Sequence, residues 1–301
     1  MGRKVIQIAD STQLISLPRK WAQKYGIKKG DELDVEEQGG NILVSTSKEK
    51  TVERATIDFR GSKTIIHRAL SALYKSGYDE IEILFGSTEE LETIISTIEH
   101  EFIGFEVVEQ GKNHLLAKKV SKIEYGEFDH ILRRLMLFLI AMGQDSLEAA
   151  KHVNTNDLKN IALRDTNINK LTDFCRRSLN KGGIKSKHTH LIYYIVEELE
   201  KTGDEYKTIC EHISKKKVKL SSKILSLYKD LNEYLNEFHH LFYEFKLEKI
   251  RDFVQKRKEF DKRFEEISEQ ASKEEVKILY HMHNVLYHIF DMNGPLLAAR
   301  L

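Results

Sequence analysis

Two acid-bearing helix faces and one basic cluster are the features of this sequence whose chemistry can be named. Asp165 and Asn169 stand four residues apart in one helical stretch, and Glu200 and Asp204 stand four apart in the next. In a helix, that spacing puts both members of a pair on one face, one turn apart. Where two such faces oppose each other, four oxygen-bearing side chains converge, and hard oxygen ligands suit Mg²⁺, Mn²⁺ or iron. The structural alternative is charge pairing, with Glu200 and Asp204 held by Lys170, Arg164 or a neighbouring helix. The basic cluster lies at the other end of the chain. Arg3, Lys4, Arg19, Lys20, Lys24, Lys28 and Lys29 face one acid, Asp10, before the acids Asp31, Glu32, Asp34, Glu36 and Glu37 follow. A small unit with a basic end and an acidic end suits a phosphate backbone approached along a groove. For any single cation, a solvated surface is the alternative.

Other chemistry finds less support. His188, His190, His212, His239, His240, His281, His283 and His288 are numerous, yet the His-x-His pairs put their rings on different helix faces. No cysteine pair has zinc spacing. Cys175 and Cys210 lie in helical stretches with no base beside them, so neither is expected to be a nucleophile. A carboxylate-bridged metal bundle needs Glu-x-x-His on two helices. Glu127 with His130 and Glu237 with His240 have that spacing, but at unlike places in their helices. No constellation meets the geometric requirements of acid–base or covalent catalysis, and no enzyme is expected.

The elements that must position these residues follow from pattern. The chain has 301 residues, 41% hydrophobic and 32% charged, with two prolines and a formal net charge of +1. That composition suits long helices with charged faces, and any polyanionic partner must be recognised locally. Two cysteines give no disulfide framework, and no signal peptide or apolar run of about 18 residues is present, so a soluble cytoplasmic protein not inserted in a membrane is expected.

The fold class expected is α+β, in three parts: 1–50, 51–122 and 126–301. In the first, Val5, Ile6 and Ile8 make a strand, Asp10-Ser11-Thr12 a turn, and 14–17 a second strand. Pro18 then opens a short helix, with Trp21, Ala22 and Tyr25 on its buried side and Gly26 ending it. Residues 32–36 and 42–45 form a hairpin across Gln38-Gly39-Gly40-Asn41, with Leu33 and Val35 facing in. So small a unit cannot bury a core alone and must dimerise or lean on a partner. The second part reads βαβαββ: a strand at 56–59, a helix from Ser62 to Lys75 with Ile65, Ile66, Ala69, Leu70 and Leu73 inward, a strand at 80–85, a helix opened by Ser87, and a hairpin around residues 110–113. It is expected to connect the two ends. The third part is 3.6-periodic, with breaks near Asn154, 181–186, 214–218, Phe245 and Ala271, which predicts six helices of about 20 to 28 residues.

Arg3-Lys4, a strand ending in Leu17-Pro18, a short helix and then Gly26-Ile27-Lys28-Lys29-Gly30-Asp31-Glu32 resemble the AbrB/SpoVT/MazE family over about the first 47 residues. The resemblance implies a swapped-hairpin dimer that binds double-stranded DNA, with Arg3, Lys4, Arg19, Lys20 and Lys24 facing it. Some members with this fold only dimerise or bind a protein. The stretch 199–211, carrying Glu200, Gly203, Asp204 and Cys210, is similar to the signature of the PhoU family, and 165–169 is similar to the partner motif. This implies an all-α bundle of two three-helix repeats, 126–214 and 218–301, with a divalent or iron-type metal ion at Asp165, Asn169, Glu200 and Asp204 in the first repeat. Asn169 departs from the family's acid. In the second repeat, 286–291 falls on 199–204, and Arg257 with Asp261 falls on Asp165 with Asn169. Tyr287 and Arg257 replace acids there, and a fixed positive charge opposes a cation, so that repeat is expected to carry no metal. Together the resemblances imply a transcriptional regulator linked to phosphate uptake, as a homodimer or higher oligomer, with a phosphate transporter or signalling protein as a further partner. The alternative is an adaptor that binds no DNA and uses the head only to dimerise.

Overall fold

A computed structural model describes residues 2–8, 12–38, 40–46, 52–121, 127–182 and 188–301. The expected turn at Asp10 and Ser11, Gly39 of the hairpin turn, and the part of the 181–186 break from 183 onward lie outside these residues. The chain divides into two compact units, Met1–Val52 and Glu53–Leu301.

The first unit holds two antiparallel ribbons and one short helix. β1 (Val5–Ile8) pairs with β2 (Thr12–Ile15), Val5 opposite Ile15. β3 (Leu33–Gln38) pairs with β4 (Asn41–Thr46), Val35 opposite Val44. Between them runs α1 (Arg19–Lys24). Gly26, at φ 61°, ends α1, the Ile27 N–H reaching back to the Ala22 carbonyl and the Gly26 N–H to Gln23. This six-to-one and five-to-two pair of bonds requires the left-handed conformation that glycine adopts at least cost. The expected inward faces are not closed within one copy. Val35 is 65% exposed, Val5, Ile6, Ile15 and Ile42 are similarly open, and Trp21, Ala22 and Tyr25 are only half-buried. Two ribbons and six helical residues offer too little surface to cover one another.

The second unit opens with a four-stranded sheet in the order β5-β6-β8-β7, from β5 (Arg54–Asp58), β6 (Glu80–Leu84), β7 (Phe105–Gln110) and β8 (His114–Lys119). β5 and β6 run parallel and the other pairs antiparallel. α2 (Ile66–Ser76) and α3 (Thr88–Glu101) cross between the strands. Their apolar faces share a core with Phe59, Ile81, Ile83, Phe105, Leu115 and Ala117. The βαβαββ order is as expected, but the inward stripe of α2 is not. A 3-10 turn at Lys63–Ile65 precedes the helix and shifts its phase. Ile65 is therefore exposed, and Tyr74, in phase with Ile66 and Leu70, is fully buried instead.

The remainder is a helical bundle around one large apolar core. Its helices are α4 (Phe128–Lys151), α5 (Thr155–Ala162), α6 (Asp165–Asn180), α7 (Thr189–Lys216), α8 (Ser222–Tyr243), α9 (Leu247–Ser268), α10 (Lys273–Asp291) and α11 (Asn293–Arg300). Two of the six expected helices are each split in two. One breaks at Leu163 and Arg164, where the bonds Arg164 N–H to Ile161 and Asn167 N–H to Arg164 tighten the chain into a turn. The other breaks at Met292, and Pro295 then falls in the first turn of α11, where its missing N–H costs no hydrogen bond.

Candidate functional site

The basic residues of the first unit gather where its chain ends meet. Because Val5 lies opposite Ile15, Arg3 and Lys4 sit beside the exit of β2, and Arg3 Nη1 donates to Ser16 Oγ at 3.2 Å. Pro18 then turns the chain, and Arg19 and Lys20 open α1 at that same end. Lys24 lies in the last turn of α1, its ammonium 5.2 Å from the Tyr25 ring centre. All five side chains are exposed. Four cations at one end of a ribbon make a surface on which phosphate contacts set register.

In the second unit, α6 and α7 bring their acidic faces together. Asp165 is buried, Asn169 and Glu200 are partly covered, and Asp204 lies at the exposed rim. The chain itself supplies cations to this notch. Lys207 Nζ donates to Asp165 Oδ2 at 2.8 Å, and the bond holds the lysine's pKa above its ordinary value. Arg176, fully buried, binds Glu200 and lies 2.8 Å from Asp173 and 2.6 Å from Glu197. Burial opposes its charge, yet Glu200, Glu197 and Asp173 more than compensate and raise its pKa. Asn169 Nδ2 donates to Asp165 Oδ2 at 3.3 Å. Asp165 Oδ1 and Asn169 Oδ1 are buried without a donor. Partial burial of the Asp204 carboxyl, then the charges of Asp165 and Glu200, push its pKa up to about 6.

All four expected ligands thus share one notch, but they fit a divalent ion poorly. One carboxylate is given to Arg176, another to Lys207, and the fourth donor set member is a neutral amide. Among the described residues, no group of three or more His, Cys, Asp or Glu gathers in metal-binding geometry. Arg164 binds Asp145 at 2.5 Å rather than either acid of α7. At the corresponding place of α9 and α10, Arg257 lies 4.0 Å from the Tyr287 ring centre and 3.1 Å from Asp261.

Sequence reasoning missed Arg176 and its neighbour Arg177. Both lie inside the run Phe174–Leu179, which reads as core, and both are 1% exposed. Arg177 faces the sheet layer. It donates to the carbonyls of Tyr74 and Tyr78 at 2.8 Å and to Asp79 Oδ1 at 2.9 Å, with its guanidinium 5.1 Å from the Tyr74 ring centre. Asn180 adds a bond to the Lys75 carbonyl, so the end of α6 satisfies the carbonyls that the end of α2 leaves open. Two charged residues within an apolar helical run were the available signal, since such residues are buried only when paired.

Also missed was a seam of histidine–carboxylate pairs. His288 meets Glu198 at 2.7 Å, His281 meets Glu205 at 2.6 Å, and His212 meets Glu274 at 2.7 Å. The spacing is seven residues on α7 and seven on α10, run in opposite directions. Cys175 and Cys210 are buried thiols, and burial pushes Cys210 up to about 12.

An exposed basic end on a β unit that cannot close its own core is the build of a nucleic-acid-binding dimerisation domain. Residues 6–52 match the family described as "Antidote-toxin recognition MazE, bacterial antitoxin". The N-terminal unit is a MazE/AbrB-like domain, of a type that typically dimerises and binds DNA in regulatory roles. The match covers 47 of the 301 residues. No curated protein and no solved structure matches the chain. No helix among the described residues is long and apolar enough to cross a membrane.

Proposed function

We propose that this chain is a dimeric, DNA-binding transcriptional regulator, with the second unit as a helical sensor that reports on phosphate supply. The observation that carries the proposal is the first unit, where Arg3, Lys4, Arg19 and Lys20 sit exposed at one end and the ribbon faces stay open for a second copy. A swapped-hairpin dimer covers Val5, Ile6, Ile15, Val35 and Ile42 and doubles the phosphate-contacting set. Arg3, Lys4, Arg19, Lys20 and Lys24 contact the DNA backbone. The phosphate link rests on the PhoU-like motif around Glu200, Gly203 and Asp204, and a transporter or signalling protein is the partner through which the helices act.

The test is binding of the full chain to its own promoter region at two or more salt concentrations, with and without Arg19→Ala and Lys20→Ala. A dimer losing both cations from both copies loses up to four phosphate contacts. The slope of log affinity against log salt should then flatten by roughly 3.6. A monomer by light scattering, or a slope unchanged in the double variant, overturns DNA binding and leaves the adaptor.

A further inference from the structure

The notch between α6 and α7 has an unusual electrostatic balance. It carries the carboxylates of Asp165, Glu200 and Asp204, and two cations of the chain reach into it. One of them, Arg176, is fully buried and shared among Asp173, Glu197 and Glu200. The other, Lys207, is partly exposed and holds Asp165 by one bond of 2.8 Å. Beside that bond, Asp165 Oδ1 and Asn169 Oδ1 are buried with no donor, although Asp165 as a residue is only 3% exposed. Oxygens in such a position are nearly always satisfied, so two together mark unused capacity for a positive group.

We propose that Lys207 is a built-in counter-ion that keeps divalent metal ions out of this notch, and that Asp165, Asn169 and Asp204 form a latent metal site exposed only when its ammonium is removed. A metal ion and an ammonium compete for the same carboxylate. An ion entering beside Lys207 meets a like charge at a few ångströms and finds Asp165 Oδ2 already taken. Without Lys207, Asp165 and Asp204 are left with no cation of their own. Asp165 Oδ1 and Asn169 Oδ1 are then free to bind together with Asp204, a set of oxygen donors suited to Mn²⁺ or Mg²⁺. Arg176 stays on Glu200 in both states, so the latent site does not need that residue. The inference is independent of DNA binding.

The experiment compares the full wild-type chain with Lys207→Met and Lys207→Arg, using MnCl₂ alone as probe, by thermal unfolding and equilibrium dialysis. In Lys207→Met, a Mn²⁺ concentration about ten times the dissociation constant should shift the unfolding equilibrium roughly tenfold toward the folded state, saturably. The wild type and Lys207→Arg, which keep the charge, should not respond. Stoichiometric Mn²⁺ in the wild type overturns the proposal, because Lys207 then excludes nothing. No response in any of the three also overturns it, because the notch then holds no latent site. Should Lys207→Met fold only with Mn²⁺ present, the proposal stands. Should it stay unfolded with Mn²⁺, Lys207→Gln takes its place, and absence of binding there refutes the idea.

Discussion

Replacing Arg177 by Met should detach the sheet layer of the second unit from its helices. Methionine keeps most of the aliphatic stem and removes the guanidinium, so the loss is mainly polar. Three acceptors lose their donor: the Tyr74 and Tyr78 carbonyls and Asp79 Oδ1. Asp79 keeps Lys181, 2.9 Å from Oδ2, and so does not become an isolated buried charge. The two carbonyls have no such reserve on the buried side of α2, and each desolvated acceptor costs about 1–3 kcal/mol. Contacts with the Tyr74 and Phe105 rings, 5.1 and 4.9 Å from the guanidinium, go as well. Together these place the loss at about 3–5 kcal/mol, the range for breaking a buried ion pair from one side. Urea unfolding followed by far-ultraviolet circular dichroism reads the helices, while fluorescence of Trp21, the only tryptophan, reads the first unit. Amide exchange at the end of α2 should accelerate more than exchange in α8. A loss below about 1 kcal/mol, or faster exchange spread evenly over both elements, would refute the claim that Arg177 joins the two layers.

Three further outcomes follow from packing and charge. A Cβ at Gly203 would lie 2.8 Å from Ile168 Cδ1 and 3.0 Å from its Cγ2, so Gly203→Ala should cost about 1–3 kcal/mol in thermal unfolding by forcing α6 and α7 apart. Tyr206 Oη donates to Asn232 Oδ1 at 2.8 Å inside the core, and Tyr206→Phe leaves that oxygen without a donor, which should cost about 1–3 kcal/mol by chemical denaturation. Burial works against the charge of Asp79, but bonds from Lys181 and the Glu53 N–H, with the nearby charges of Lys181 and Arg177, outweigh it and hold its carboxyl below the usual range. A depressed folded pKa lends stability that is present above about pH 3.9 and is lost as pH falls through the folded value. Asp79→Asn should therefore be less stable than wild type at pH 7, and the gap should close as the pH is lowered below about 4.

Much of this architecture was legible from spacing. The order of strands and helices in 51–122 followed from alternation and capping residues, and Ser87 with Glu90 forms the expected reciprocal cap. Pairs four residues apart correctly put Asp165 with Asn169, and Glu200 with Asp204, on facing helix surfaces. What spacing could not supply was the partner of each charge. Lys207 and Arg176 come from other turns of the same two helices, and which cation reaches a carboxylate depends on the register of α6 against α7. That register is set by small contacts such as Gly203 on Ile168. The α2 stripe went astray at Ile65 for a local reason, since one 3-10 turn at the start rotates every later side chain. The seam of histidines was hidden because each partner lies on a helix remote in sequence.

The open ribbons of the first unit have a bearing on dosage. A head whose apolar surfaces close only against another chain is complete at a rate set by encounters, so at low abundance the working form rises with the square of total chain. Small changes in synthesis or turnover would then be amplified at the promoter, and the cell would obtain a threshold response without any effector. Mixed pairing with a damaged copy would poison the assembly in the same proportion.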